Sequence, residues 1–352
     1  MSMLKQLSIA FCFAATAALA QQQPPAYGEK LDVNFVLLDA VVTDNRGNQI
    51  LGLDKNDFVV KENGVPQQID SVDYFTNRRL LNEPESKAAF KVERMHEQRY
   101  FVFFFDKPGD TAVFFNRLSL ARNGVKDFIR KEMKPTDLAA VVAHDVRLKV
   151  YSDFTSDKQL LERAVDETAL YGRGITTSDV PPNAPSILRG NNGSLIDSTG
   201  TVYEALRLLG ERLRPIRARK EIVLFTLGIY EPGEEVRNGM VISTSRYYDP
   251  MIRALNRADV TVFPVSLLEE PNQQPFFHQT LQRIASDTNG EYFQFNTSFS
   301  PALRKIEKMS NGYYLIGYYS KPKNGAGYQK VEVAVKNPEF RVRARQGYSY
   351  GD

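Results

Sequence analysis

The chain has 352 residues, 42% of them hydrophobic and 25% charged, the balance of a soluble globular protein with room for one large domain and a smaller one. A net charge of +3 spread along the chain forms no basic stripe, which argues against nucleic acid and anionic lipid as partners. The single cysteine, Cys12, lies near the amino end, so the rest of the chain must be held by packing rather than by disulfides.

Residues 1–20 read as a secretory signal peptide. Lys5 supplies the positive start, Leu7 to Leu19 an apolar run, and Ala18-Leu19-Ala20 a small-x-small cleavage site before Gln21. The run is shorter than the ~20 residues a bilayer span needs. Phe11 stands where a lipoprotein signal wants a small residue ahead of Cys12. The expectation is export to a bacterial periplasm or exterior, with no stable membrane span after cleavage. Residues 21–30, rich in Gln and Pro, read as a flexible lead-in.

A small β module is expected over 31–78. Val33, Phe35 and Leu37 alternate, Asp44-Asn45-Arg46-Gly47 is a tight-turn signal, Asp57 to Gly64 is a strand followed by a turn, and Ile69 to Phe75 is a further strand. Residues 79–98, charged and containing Pro84, read as a connector. The apolar run Tyr100 to Phe105, ending at Asp106, has the pattern of a parallel strand covered on both faces.

From there strands and helices alternate over 99–311. Phe114, Leu118, Ala121, Val125, Phe128 and Ile129 mark one apolar face of a helix that tolerates Gly124. Strands Leu138 to Ala143 and Arg147 to Tyr151 follow. A helix then starts at Ser156, whose side chain is placed to cap it, with Leu160, Leu161, Ala164 and Val165 inside. The loop Gly172 to Ser198 carries Pro181, Pro182 and Pro185, and reads either as a partner-contacting segment or as a disordered insertion. Beyond it come a helix with Val202, Ala205, Leu206, Leu209 and Leu213 on one face, strand Glu221 to Phe225, helix Asp249 to Ala258, strand Val260 to Val265, helix Phe276 to Asp287 and strand Glu291 to Phe295. This alternation predicts an α/β fold, a doubly wound, mostly parallel sheet.

A last helix starts at Ser300 with Pro301 in its first turn and stops at Gly312. Strands Tyr313 to Tyr319, Lys330 to Val335 and Phe340 to Arg345 return the chain to β, joined by the turn Asn324-Gly325-Ala326-Gly327. Residues 312–352 are expected to pack with 31–78 as one β-sandwich carrying the α/β domain as an insertion, with two consecutive modules as the alternative.

Several segments carry a resemblance. Asp44-Asn45-Arg46-Gly47, Leu53-Asp54-Lys55-Asn56-Asp57-Phe58 and Glu62-Asn63-Gly64-Val65-Pro66-Gln67 at one end resemble the VWFA-related proteins described from Acidobacteria. So do Tyr313-Tyr314-Leu315-Ile316-Gly317-Tyr318-Tyr319 and Val342-Arg343-Ala344-Arg345-Gln346-Gly347-Tyr348 at the other. The resemblance implies a von Willebrand factor type A-like domain over 99–311, with its functional crevice at the carboxyl ends of the strands, where the strand order reverses. It also implies a metal-ion-dependent adhesion site, in which hydroxyl and carboxylate oxygens hold a hard divalent cation with one position open for a partner's carboxylate.

The family pattern is Asp-x-Ser-x-Ser after the first strand, a Thr before a later helix and an Asp after the fourth strand. Asp106 keeps the first position, but Pro108 and Asp110 stand at the two serine positions. Gly200 takes the Thr position, with Thr201 offering a hydroxyl on a one-residue shift, and Leu227 replaces the last Asp in Thr226-Leu227-Gly228. With Lys107 alongside, so few oxygens are expected to leave the site degenerate, without a tightly held Mg²⁺ or Ca²⁺ and with no other cofactor. The plain alternative has Asp106 and Asp110 pairing with Lys107 or capping the next helix.

Other chemistry lacks anchors. There is no Gly-x-Ser-x-Gly elbow, Walker loop or dinucleotide fingerprint, and His96, His144 and His278 have no second ligand at zinc spacing. His144-Asp145 reads as a turn on the sheet's edge. Asn192-Gly193-Ser194 and Asn296-Thr297-Ser298 match glycosylation acceptors, which matter only in a eukaryotic secretory pathway. The function expected is exported, non-enzymatic binding of a protein or cell-surface polymer through a crevice formed by Asp106, Asp110, Thr201 and Thr226. Two alternatives remain: a metal-assisted or acid/base enzyme using Asp106 and Asp110, and a structural envelope component whose crevice is inert.

Overall fold

Strands from both ends of the chain interleave around one apolar core. The computed structural model describes residues 34–76, 92–94, 98–107, 112–170, 174–175, 184–189, 199–216, 218–229, 235–237, 240–242, 246–268, 275–321, 325 and 327–350. The signal peptide 1–20, the lead-in 21–30 and most of the connector 79–98 lie outside the described residues. Strands β1 (Asn34–Thr43), β2 (Phe58–Glu62), β3 (Val65–Gln67) and β4 (Ile69–Thr76) come first, followed by the short β5 (Val92–Arg94). In β1, Val36, Leu38, Ala40 and Val42 are buried on one face while Phe35 and Leu37 are exposed on the other, the period of two that a strand with one covered face requires. The turn after it is closed by the Asp44 carboxylate, which accepts the Arg46 and Asn48 N–H groups at 2.8 Å each, and by Gly47 at φ +81°.

The middle of the chain alternates strand and helix: β6 (Tyr100–Asp106), α1 (Ala112–Lys131), β7 (Leu138–His144), β8 (Leu148–Thr155), α2 (Lys158–Glu167), α3 (Val202–Leu213) and β9 (Lys220–Thr226). The hairpin β10 (Glu235–Arg237) and β11 (Met240–Ile242) follows, then α4 (Tyr248–Arg257), β12 (Val260–Ser266), α5 (Pro275–Asp287) and α6 (Ser300–Met309). The large sheet has the order β12-β9-β6-β7-β8, parallel except for the antiparallel edge strand β8. Its central strand β6 has no exposed residue, and its side chains divide by parity. Phe101, Phe103 and Phe105 join a core with α1, α2 and α6; Tyr100, Val102 and Phe104 join a second core with α3, α4 and α5. Burial of each phenyl group contributes about 1.5–3 kcal/mol, so the strand is held from both sides.

The chain ends with β13 (Gly312–Ser320), β14 (Gly327–Val335), β15 (Arg341–Ala344) and β16 (Gly347–Tyr350). One outer sheet has the order β15-β1-β13-β4-β5 and another β16-β14-β2-β3, so each combines amino-terminal and carboxyl-terminal strands. Val36, Leu38, Phe58, Val60, Tyr314, Ile316, Tyr318 and Val331 from both sheets form one core. Buried Glu62 is satisfied there by three hydroxyl donors, Tyr318 at 2.9 Å and Ser320 and Tyr348 at 3.0 Å. No described helix is long and apolar enough to cross a membrane.

Three local expectations are corrected. The cap of α2 is Asp157, not Ser156: its side chain accepts the Gln159 and Leu160 N–H groups at 2.9 and 3.1 Å, and Leu160 is exposed rather than inside. The strand expected from Arg147 to Tyr151 runs on to Thr155. The strand expected from Glu291 to Phe295 reduces to one bridge, in which Phe293 bonds Pro264 and Ser266 at 2.9 and 2.8 Å. The next ladder bond toward Glu291 would need an N–H at Pro264, and Phe295 at φ +53° turns the chain away on the other side.

Candidate functional site

The order of the large sheet reverses at β6, which lies between β7 and β9, and this is where an open α/β sheet opens a crevice at its carboxyl edge. Asp106 is the last residue of β6, in register with His144 at the end of β7, while Thr226 ends β9. The hydrophobic run that precedes Asp106 carries it into the same buried environment, and it is 2% exposed. Its Oδ2 accepts the Thr226 hydroxyl at 2.6 Å, and that hydroxyl in turn accepts the Gly228 N–H at 3.0 Å. The Lys107 N–H donates to the His144 carbonyl at 2.8 Å, locking the two strand ends together.

His144 completes the floor. Its Nε2 lies 3.0 Å from the Thr199 carbonyl, which can only accept, so Nε2 carries the proton and Nδ1 presents a lone pair. Nδ1 faces Asp106 Oδ1 across 3.9 Å. Burial pushes the Asp106 carboxyl up to about 7, against the opposing bonds from Thr226 and the Lys107 N–H. Burial also holds the His144 imidazole below its ordinary value, against the Thr199 contact and the nearby Asp145 and Glu204 charges. Lys107 is pulled down to about 8 by desolvation, with Asp145 opposing. The floor therefore changes its protonation near neutrality instead of presenting a dense negative charge.

The residues anticipated from sequence separate on this geometry. Asp106 and Thr226 are brought together. Thr201 is used locally: it is the N-cap of α3, in a capping box where its side chain accepts the Glu204 N–H at 3.2 Å and the Glu204 carboxylate accepts the Thr201 N–H at 3.0 Å. The neighbouring Thr199 hydroxyl accepts the Leu148 N–H at 2.8 Å. Leu227 packs against the core shared with α1, and Pro108 and Asp110 lie outside the described residues. Among the described residues no group of three His, Cys, Asp or Glu side chains is gathered as a metal cage.

His144 was misplaced by sequence reasoning. It is not on a turn at the sheet's edge but buried at the end of an interior strand; the available signal was a polar residue closing the apolar run Leu138 to Ala143, as Asp106 closes its own run. Part of the loop Gly172 to Ser198 is also firmly held. Asp153 accepts Ser186 Oγ at 2.6 Å and the Ile187 N–H at 2.9 Å, and Ile187 and Leu188 are buried beside β8; most of the remaining loop, with Asn192-Gly193-Ser194, lies outside the described residues. The amide nitrogen of Asn296, in the other acceptor triplet, is buried.

No family model matches the chain, and no curated protein matches it. Similar solved structures include a point mutant of the PilB minor pilin from Streptococcus sanguinis, at 12% identity and a TM-score of 0.41 over 79% of each chain. The vWF domain of the type V pili tip protein Mfa5 from Porphyromonas gingivalis is similar at 11% identity and a TM-score of 0.41, over 61% of this chain and 95% of that one. The conserved hypothetical protein BatB from Bacteroides thetaiotaomicron is similar at 14% identity and a TM-score of 0.36, over 60% of this chain and 98% of that one.

Proposed function

We propose that this chain is an exported, non-enzymatic protein of von Willebrand A-like fold that binds a protein or cell-surface polymer at the mouth of its large sheet, through an adhesion site that no longer holds a metal. In this reading the two outer sheets form one β-sandwich, with the α/β domain inserted between its strands. The observation that carries the proposal is the buried bond between Asp106 and Thr226 at the switch point, where an adhesion site would keep charged oxygens open to an ion. Being buried, these two side chains position the mouth, and contact with the partner falls to the residues around them.

Calorimetric titration with Mg²⁺, Ca²⁺ and Mn²⁺ tests the loss of the metal. No binding tighter than about millimolar is expected; micromolar binding would restore a working adhesion site. The partner is tested by capture from envelope extract, with circular dichroism confirming that each protein is folded. Asp106→Ala should lose the bound component, whereas equal capture by both forms would identify an inert crevice and a structural role.

A second reading is favoured by one observation. Asp106, poised near neutrality and facing the His144 lone pair, has the properties of a general acid or base. It requires a substrate whose turnover follows a single ionisation near pH 7 and is abolished in Asp106→Ala.

A further inference from the structure

A second concave site lies near the opposite end of the large sheet, lined by residues from both ends of the chain and from the last two helices, none of which the mouth uses. A groove of about 710 Å³ is enclosed by the Asp44 turn, β15, the last turns of α5 and α6, and Gly290 to Tyr292. Gly290 lies so close to the Val262 carbonyl, near the start of β12, that a Cβ could not be accommodated, whereas Asp106 and Thr226 stand at the other strand ends.

β15 and the residue after it read Arg341-Val342-Arg343-Ala344-Arg345. Val342 and Ala344 pack on the outer-sheet core, so the three arginines share the opposite face. Two of them have oxygen partners. Arg341 donates to Asn45 Oδ1 at 3.2 Å, and Arg345 donates to the Asn256 carbonyl at 3.0 Å and to Asp259 Oδ1 at 2.7 Å. Arg343 differs: its guanidinium stacks 5.5 Å from the Phe263 ring, and its hydrogen bond within the described protein goes to the Met309 thioether at 3.7 Å. Glu291 and Glu221 act on it through space, outside ion-pair distance, and Glu291 is already paired with Lys305.

Arg343 is half-buried on the groove wall, and its planar fork of five N–H donors, given one weak sulfur acceptor, is matched by a carboxylate or phosphate that accepts two parallel hydrogen bonds. The groove wall agrees in sign. It carries Arg46, Lys305, Arg341 and Arg343 against the carboxylates of Asp44 and Glu291, and Asp44 is committed to its own turn. Its volume is in the range of about 300–1,000 Å³ that small-molecule sites occupy, so it exceeds the needs of a bare inorganic ion. Asn45, Gln282, Ser286 and Gln346 line it with amides and a hydroxyl, and Tyr292 adds an aromatic face.

We infer that this groove binds a small oxyanion carried on a hydroxylated skeleton, of the class of sugar acids and sugar phosphates, with Arg343 gripping the anionic group. The test is calorimetry and thermal-shift measurement on the full chain with glucuronate, glucose 6-phosphate, inorganic phosphate and neutral glucose. Glucuronate or glucose 6-phosphate should bind and raise the melting temperature, and which of them does so identifies the anionic group. Glucose should give no shift, and inorganic phosphate should bind at least tenfold more weakly than the sugar anion. Arg343→Lys keeps the charge but loses the fork, and should weaken binding tenfold or more; Arg343→Met should abolish it. Arg343→Lys decides the matter if Arg343→Met fails to fold. Failure of both sugar anions to bind, equal binding of glucose, or unchanged affinity in Arg343→Lys would overturn the assignment.

Discussion

Asp106→Asn is expected to match the wild type in stability near pH 4 and to exceed it by a few kcal/mol at pH 8. The carboxyl titrates at an ordinary value in the unfolded chain and, because burial disfavours its charged form, at about 7 in the folded one. A raised folded pKa means that the folded state holds the proton more tightly. The associated stability is fully present below about pH 4, falls as pH rises toward 7, and is gone above it. At about 1.4 kcal/mol per unit, a displacement of this size is worth on the order of 4 kcal/mol. Asparagine has no such ionisation and can still accept the Thr226 hydroxyl. His144 is common to both proteins, so its own titration cancels to first order in the difference. Urea unfolding at intervals from pH 4 to 8 measures that difference; a flat profile would mean that Asp106 is solvated in solution and that the closed floor is wrong.

Asp137→Ala should cost about 3–5 kcal/mol, because it strands a buried cation. Arg99 is 1% exposed, and its Nε and Nη2 donate to the two Asp137 oxygens at 2.9 and 2.5 Å. Burial by itself would lower the Arg99 pKa, yet Asp137, together with the more distant Glu221 and Glu307 charges, more than offsets it and the net displacement is upward. Asp137 also accepts the Lys134 N–H at 2.8 Å, so the same carboxylate closes the turn into β7. Removing it leaves Arg99 with Asn311 at 3.2 Å and Glu307 at 3.7 Å, neither of which supplies the bidentate partner. The double variant Arg99→Met with Asp137→Leu should recover much of the loss, since two apolar groups leave no charge to desolvate. Chemical denaturation of the three proteins decides it. A loss under about 1 kcal/mol in Asp137→Ala would show that water reaches Arg99.

The two predictions concern opposite ends of the same sheet, and those ends were not equally legible. Asp106 was visible because it terminates a hydrophobic run, and a carboxylate there needs a reason. Thr226 was visible only through its place after another such run. Their bond, and the approach of His144, depend on β6 lying between β7 and β9, an order that local periodicity does not encode. The Arg99–Asp137 pair, 38 residues apart, was invisible for the same reason.

What the amino-acid sequence determined by itself was the alternation of elements. A buried strand such as Tyr100 to Phe105 must be continuously apolar, α1 must repeat its apolar residues every three or four positions, and turns such as Asp44 to Gly47 need residues that tolerate φ > 0 or bond their own backbone. What only the tertiary structure decided was which polar groups those elements bring together. Asp106 became a proton-holding acid, and Arg343 a guanidinium facing a groove while Arg341 and Arg345 found oxygen partners, through desolvation and distance between segments far apart in the chain. Neither quantity leaves a trace in local residue patterns.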